Sequence, residues 1–184
     1  MNNVNNIEQS IYIGLIVALL SVSAFIRIPM YPMSITLQTF IIFLIPLVFG
    51  SKISFISVVI YSLLGFLGLP IFSNGGGISY IFMPTFGYLI GFLISVLVSG
   101  WICKDNKDRK SFIIAGIISL IIIYTCGVIG VYINIYFIQD KNMLFSTVFI
   151  SCIVFIIPDL LKLFLAVILA PYILKVVNNI SNRV

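Results

Sequence analysis

Long apolar runs fill this chain, and short polar or glycine-rich clusters cut it into six segments: 11–26, 36–50, 53–69, 80–103, 112–138 and 147–177. A helix needs about 20 apolar residues to cross the hydrocarbon core of a bilayer. A helix also satisfies its own backbone groups there, which leaves an all-α bundle as the natural architecture. The pattern therefore predicts an all-α integral membrane protein with six transmembrane helices in one domain, 1–184. The second and third segments are short for full spans, and Gly50-Ser51-Lys52 separates them as a tight turn. The fifth and sixth are long enough to tilt or to extend past the membrane. Pro46, Pro84, Pro158 and Pro171 are expected to kink or start helices.

One interruption is of a different kind. Asp159 and Lys162 lie three positions apart inside the otherwise apolar run 149–170. Residues at this spacing share a helix face. Each charge at bilayer depth costs on the order of 3 kcal/mol on insertion scales. The pair reads either as part of a ligand pocket or as a structural couple that neutralises itself. A continuous helix entered at Thr147 puts the pair about three to four turns in, near mid-depth.

Composition agrees with a membrane class. The chain is 61% hydrophobic and 8% charged, against roughly 25% charged in soluble domains, and its mean hydropathy is +1.25. Its formal charge of +5 comes from dispersed basic residues, which speaks for topology and not for nucleic-acid binding. With both termini in the cytoplasm, the inner segments hold Lys52, Lys104, Lys107, Arg109, Lys110, Lys175 and Arg183. The outer ones then hold Arg27 and Lys141, as the positive-inside bias prefers. The first ten residues carry Glu8 and no Lys or Arg, so the first segment reads as a retained helix and not a cleaved signal.

Several chemistries are excluded. There is no histidine, and Cys103, Cys126 and Cys152 are too scattered for a metal or CxxC site. No nucleophile–base pair at matched depth supports an intramembrane enzyme. No GxxxxGK[ST] sequence occurs, so any ATP hydrolysis belongs to other subunits.

Two loops on the outer side in this orientation, 27–38 and 65–77, leave from the side where segment 147–177 begins. The second ends in Gly75-Gly76-Gly77, which permits positive φ and close approach to a ligand. Gly87-x-x-x-Gly91, Gly127 and Gly130 read as helix-packing surfaces.

In order, Ser34-Ile-Thr-Leu-Gln38, Gly68-Leu-Pro-Ile-Phe-Ser-Asn-Gly-Gly-Gly77, Pro84-Thr-Phe-Gly-Tyr-Leu-Ile-Gly-Phe92 and Pro158-Asp-Leu-Leu-Lys162 resemble the BioY family. That family comprises the biotin-specific S components of energy-coupling factor (ECF) transporters. Met83, Phe86 and the direct Pro158–Asp159 junction depart from the usual family pattern. The resemblance implies a six-helix S-component fold in the bacterial cell membrane and a pocket for extracellular biotin. It also implies a T component and two cytoplasmic ATPases as partners, with no cofactor. By resemblance, Asn74, Tyr88, Asp159 and Lys162 match biotin-contacting positions, and Gly75, Gly76, Phe72, Thr85 and Gln38 join them in the expected binding set. In chemical terms, Asp159 and Asn74 suit the urea of biotin and Lys162 its carboxylate. Phe72, Tyr80, Phe86 and Tyr88 suit the apolar walls. Gly14 and Ala18 on the first helix are the expected partner contacts. A different vitamin remains the alternative ligand.

Overall fold

The computed structural model describes residues 6–30, 34–139 and 144–181. Helices dominate: α1 (Asn6–Phe25), α2 (Gln38–Phe66), α3 (Phe86–Ile102), α4 (Arg109–Ile133), α5 (Phe145–Ile153) and α6 (Ile156–Ser181). Two very short strands, β1 (Arg27–Ile28) and β2 (Ile35–Thr36), pair antiparallel beyond α1, with Arg27 opposite Thr36. Among the described residues, four helices have the length and hydropathy to cross a membrane: α1, α2, α4 with its continuation to Ile138, and α6.

α2 is a folded hairpin. Gln38 Nε2 donates to Tyr61 Oη at 2.6 Å across 23 positions. A straight helix would hold those residues about 34 Å apart at 1.5 Å per residue. The reversal falls at Gly50, whose φ of 77° and ψ of −178° suit a residue without a side chain. Two arms, 38–49 and 51–66, therefore stand side by side and bring the start of the first arm beside the end of the second.

Prolines set the other departures from the expected segments. The run 147–177 does not form one helix. A proline ring clashes with the carbonyl four residues back, which for Pro158 belongs to Val154. The chain breaks at Val154–Phe155, and α6 starts at Ile156 with Pro158 in its first turn. Asp159 thus sits in the first turn of α6 and not several turns into a continuous span. Pro84 acts likewise on the run 80–103. Met83 is held extended (φ −89°, ψ 147°), as a residue before proline prefers. A 3₁₀ turn over Ile78–Phe82 precedes the break, and α3 begins at Phe86. The run 112–138 starts earlier, at Arg109, with Asp108 capping it by accepting from the Ser111 N–H at 3.0 Å. It ends in a π-helical turn, Asn134–Ile138.

The core lies between the α2 arms, α3 and α4. α3 packs closely on α4. A Cβ at Gly87 would strike the Cys126 carbonyl and the Gly130 Cα, and one at Gly91 would meet the Ile123 Cα at 2.9 Å. Such glycine seams bring backbones within dispersion range, which drives association where lipid supplies no hydrophobic force. α6 turns one stripe inward, with Asp159, Leu163, Ala166 and Ala170 buried, while Leu160, Leu161, Phe164 and Leu165 face outward. The 3.6-residue period therefore aims Asp159 at the bundle interior.

Candidate binding site

A cavity of about 50 Å³ opens at the end of the bundle that carries the β-hairpin. Four parts of the chain build it. The hairpin contributes Ser34, Ile35 and Thr36. The α2 arms contribute Gln38, Thr39 and Tyr61. The connection to α3 adds Phe72, Ser73, Tyr80 and Thr85. The helices behind, with the break between α5 and α6, add Tyr88, Leu89, Phe92, Tyr124, Phe155 and Asp159.

Asp159 is the polar centre. It is only 7% exposed. Its Oδ1 accepts from Lys162 Nζ at 2.6 Å and from the Thr39 hydroxyl at 2.8 Å. Its Oδ2 accepts from the Tyr124 hydroxyl at 2.9 Å. An ionised carboxylate offers about four acceptor positions. Three are used, and the carboxylate lines the cavity.

Lys162 has a different place from Asp159. Its ammonium has three donors, and they go to Asp159 Oδ1, the Thr36 carbonyl at 2.7 Å and Thr39 Oγ1 at 3.1 Å. Lys162 is not among the residues that line the cavity. It sits behind the site and ties α6 to the hairpin and the first α2 arm, across 126 and 123 positions of sequence. With every ammonium hydrogen committed, it does not present a donor to a ligand carboxylate in this arrangement.

The aromatic wall is held by contacts among its own members and with Phe66 behind it. Phe72 meets Tyr61 edge-on at 5.4 Å, Phe66 edge-on at 5.5 Å and Tyr80 at 4.3 Å in a tilted pair. Such geometries place ring edges on ring faces. Hydroxyls add direction: Gln38 donates to Tyr61, Tyr61 donates to the Ile71 carbonyl at 2.9 Å, and Thr85 donates to Tyr80 at 2.8 Å. Tyr88 is the exception. It is 8% exposed, and among the described residues its hydroxyl makes no hydrogen bond of ordinary geometry, with the Cys152 thiol as a weak polar neighbour. A buried hydroxyl left in this condition costs free energy that a ligand can recover.

Of the expected binding residues, the fold brings Gln38, Phe72, Thr85, Tyr88 and Asp159 to the cavity. Asn74, Gly75 and Gly76 stand beside it. Phe72 and Gly75 exchange backbone hydrogen bonds at 2.9 and 3.2 Å, closing a tight turn with Ser73 and Asn74 at its tip. Gly75 adopts φ 107° there. The turn aims Phe72 and Ser73 inward and leaves Asn74 exposed, where its Oδ1 accepts from Arg27 Nη1 at 3.1 Å. Phe86 lies away from the cavity, in the groove between α3 and α4. Thr39, Tyr61 and Tyr124 were not singled out in the sequence. Thr39 follows Gln38 directly and could have been noticed by that adjacency; nothing local marks Tyr61 or Tyr124 among nine tyrosines. Gly14 and Ala18 both fall on the exposed face of α1.

Comparison with known proteins bears on this arrangement. A family model described as the BioY family matches residues 1–179. A probable biotin transporter BioY of Lysinibacillus sphaericus is 42% identical over 125 residues, 67% of this chain and 64% of that protein. The biotin transporter BioY of Thermotoga maritima is 35% identical over 164 residues, 89% of this chain and 94% of that one. The crystal structure of an S-component for biotin from an ECF-type ABC transporter superposes with a TM-score of 0.82 at 26% identity, covering 95% of both chains. With a family model matching residues 1–179 and relatives at 35% and 42% identity over two thirds or more of the chain, this chain belongs to the BioY family.

Proposed function

We propose that the chain is the biotin-binding S component of an ECF-type importer, with Asp159 as the anchor for the urea of biotin. The observation that carries this reading is the partly filled carboxylate at the cavity wall. Lys162, Thr39 and Tyr124 hold it oriented, and one acceptor position remains for a ligand N–H. The Tyr88 hydroxyl, lacking a strong protein partner, donates to the urea carbonyl or to the ring sulfur. Phe72, Tyr80, Leu89 and Phe92 supply apolar walls for the thiophane ring and the side chain. Apolar lining with a few aimed polar groups is the usual make-up of a small-molecule site.

The cavity of about 50 Å³ is much smaller than the roughly 300–1,000 Å³ of sites that hold drug-sized ligands. Seating a bicyclic ligand therefore requires the rim to move outward, by parting the β-hairpin from the Phe72–Gly75 turn. In the membrane, this mouth faces outside and both termini face the cytoplasm. The exposed α1 face around Gly14 and Ala18 meets a T component, and cytoplasmic ATPases supply the energy that this chain has no nucleotide motif to provide. The location is the bacterial cell membrane, with several spans.

The test is calorimetry of biotin binding to the purified protein in detergent, with Asp159→Asn as the first variant. Asparagine keeps the shape but turns half of the group into a donor and removes the charge. Loss of at least about 100-fold in affinity is expected, as for a charge-assisted hydrogen bond and its network. Unchanged affinity in Asp159→Asn, or tighter binding of another vitamin in competition, overturns the assignment.

A further inference from the structure

Among the described residues, the site as built has no cation left for a ligand carboxylate inside the cavity. Lys162 spends all three donors on Asp159, Thr39 and Thr36 and stands behind the lining. Most other basic residues lie far away. Lys52 sits at the α2 turn, Lys104, Lys107, Arg109 and Lys110 in or beside the α3–α4 connection, and Lys175 near the distal end of α6. Among the described residues this leaves Arg27. Its backbone pairs opposite Thr36, which lines the cavity. Its side chain reaches across to Asn74, the neighbour of the lining residue Ser73. The guanidinium therefore bridges the two loops that frame the mouth. It is exposed, and one of its five N–H groups goes to a neutral amide oxygen, a weaker acceptor than a carboxylate.

We propose that Arg27 is the specificity residue for the acid end of the ligand, exchanging the Asn74 amide oxygen for the carboxylate once the ring system is seated at Asp159. This inference rests on the biotin reading and deepens it. It gives the two cations separate duties: Lys162 organises the buried carboxylate, and Arg27 reads the ligand's charge at the rim. Planar guanidinium suits a carboxylate bidentately, a fit that lysine does not reproduce. Asn74 becomes a positioning residue that parks the guanidinium over the mouth.

The experiment compares biotin with its neutral amide by calorimetry, on wild type, Arg27→Gln and Arg27→Lys, at low and high salt. Wild type is expected to prefer the acid about tenfold, the worth of one charge-assisted pair at the surface. That preference should shrink as salt rises, because the pair is exposed. Arg27→Gln should bring biotin down to the affinity of the amide and leave the amide's own affinity unchanged; Arg27→Lys should keep part of the preference. Retention of the full preference in Arg27→Gln overturns the inference, as does equal weakening of both ligands, which marks Arg27 as a structural latch only. Equal binding of acid and amide by wild type also overturns it while leaving the urea anchor intact. Failure of wild type to bind either ligand overturns the biotin reading itself.

Discussion

Two close-packed places in this bundle solve opposite problems. Along α3 and α4, Gly87 and Gly130 put backbone against backbone with no side chain between. At the corner of α2, α4 and α6, Thr39, Tyr124, Asp159 and Lys162 put four polar groups together at the edge of an apolar core. The glycine seam gains stability from contact alone, so its only requirement is size. The polar corner gains nothing until every donor and acceptor is answered, because a half-satisfied buried network costs more than an apolar core. The lesson is that the seam can only hold helices together, whereas the corner leaves one acceptor position and one weakly engaged Tyr88 hydroxyl that a ligand can complete. Stability and function are therefore separable here, and variants can pull them apart.

The sharpest separation comes from the charged pair. Lys162→Met alone leaves the Asp159 carboxylate buried without its cation. We expect a loss of about 3–5 kcal/mol of stability, measured by thermal unfolding in detergent, together with loss of biotin binding. Asp159→Leu combined with Lys162→Met removes both charges, and a buried pair replaced by apolar residues is often neutral or better. The double variant should recover most of the melting temperature and none of the binding. A double variant that stays as unstable as the single one means that the corner is needed for folding as a network, and the comparison with the seam fails.

The seam gives the next largest effect, of the opposite kind. Gly87→Val places a branched side chain against the Gly130 Cα and the Cys126 carbonyl. Overpacking of this sort costs about 1–3 kcal/mol, sometimes more. The remaining folded fraction should bind biotin with affinity close to wild type, read by calorimetry corrected for the active fraction. A selective loss of affinity at unchanged melting temperature would show that the seam transmits its geometry to the Tyr88 side of the cavity.

Tyr88→Phe should have the smallest effect. It removes a buried hydroxyl that has no hydrogen-bond partner among the described residues, so ligand-free stability should hold or rise slightly. Biotin affinity should fall about tenfold, the value of one hydrogen bond to a buried group. Wild-type affinity in this variant would mean that the hydroxyl completes nothing in the complex.

Much of this architecture was legible along the chain. Runs of apolar residues are long because the bilayer demands it, and that demand acts on sequence directly. Gly87 and Gly91 on the α3 side of the seam sit four apart, at helix spacing, so their common face was visible as a motif. Asp159 was conspicuous because a charge at that depth is costly. The partners of Asp159 were not conspicuous. Thr39 is 120 positions away and Tyr124 is 35, and neither residue type is unusual in an apolar helix. The prolines announced that helices would be disturbed, yet not how. Pro158 broke the chain one turn earlier, at Val154, and moved Asp159 to a helix start.

The sequence by itself determined the membrane class, the family and the face of α6 that carries the two charges, since hydropathy, motif order and helical period are properties of neighbours along the chain. Tertiary structure alone decided which charge faces the cavity. Asp159 and Lys162 are one turn apart and equally placed to reach a ligand on paper. The fold sets a backbone carbonyl, Thr36, and a hydroxyl, Thr39, within reach of the lysine. Three donors then find three acceptors, and the carboxylate is left with the open position.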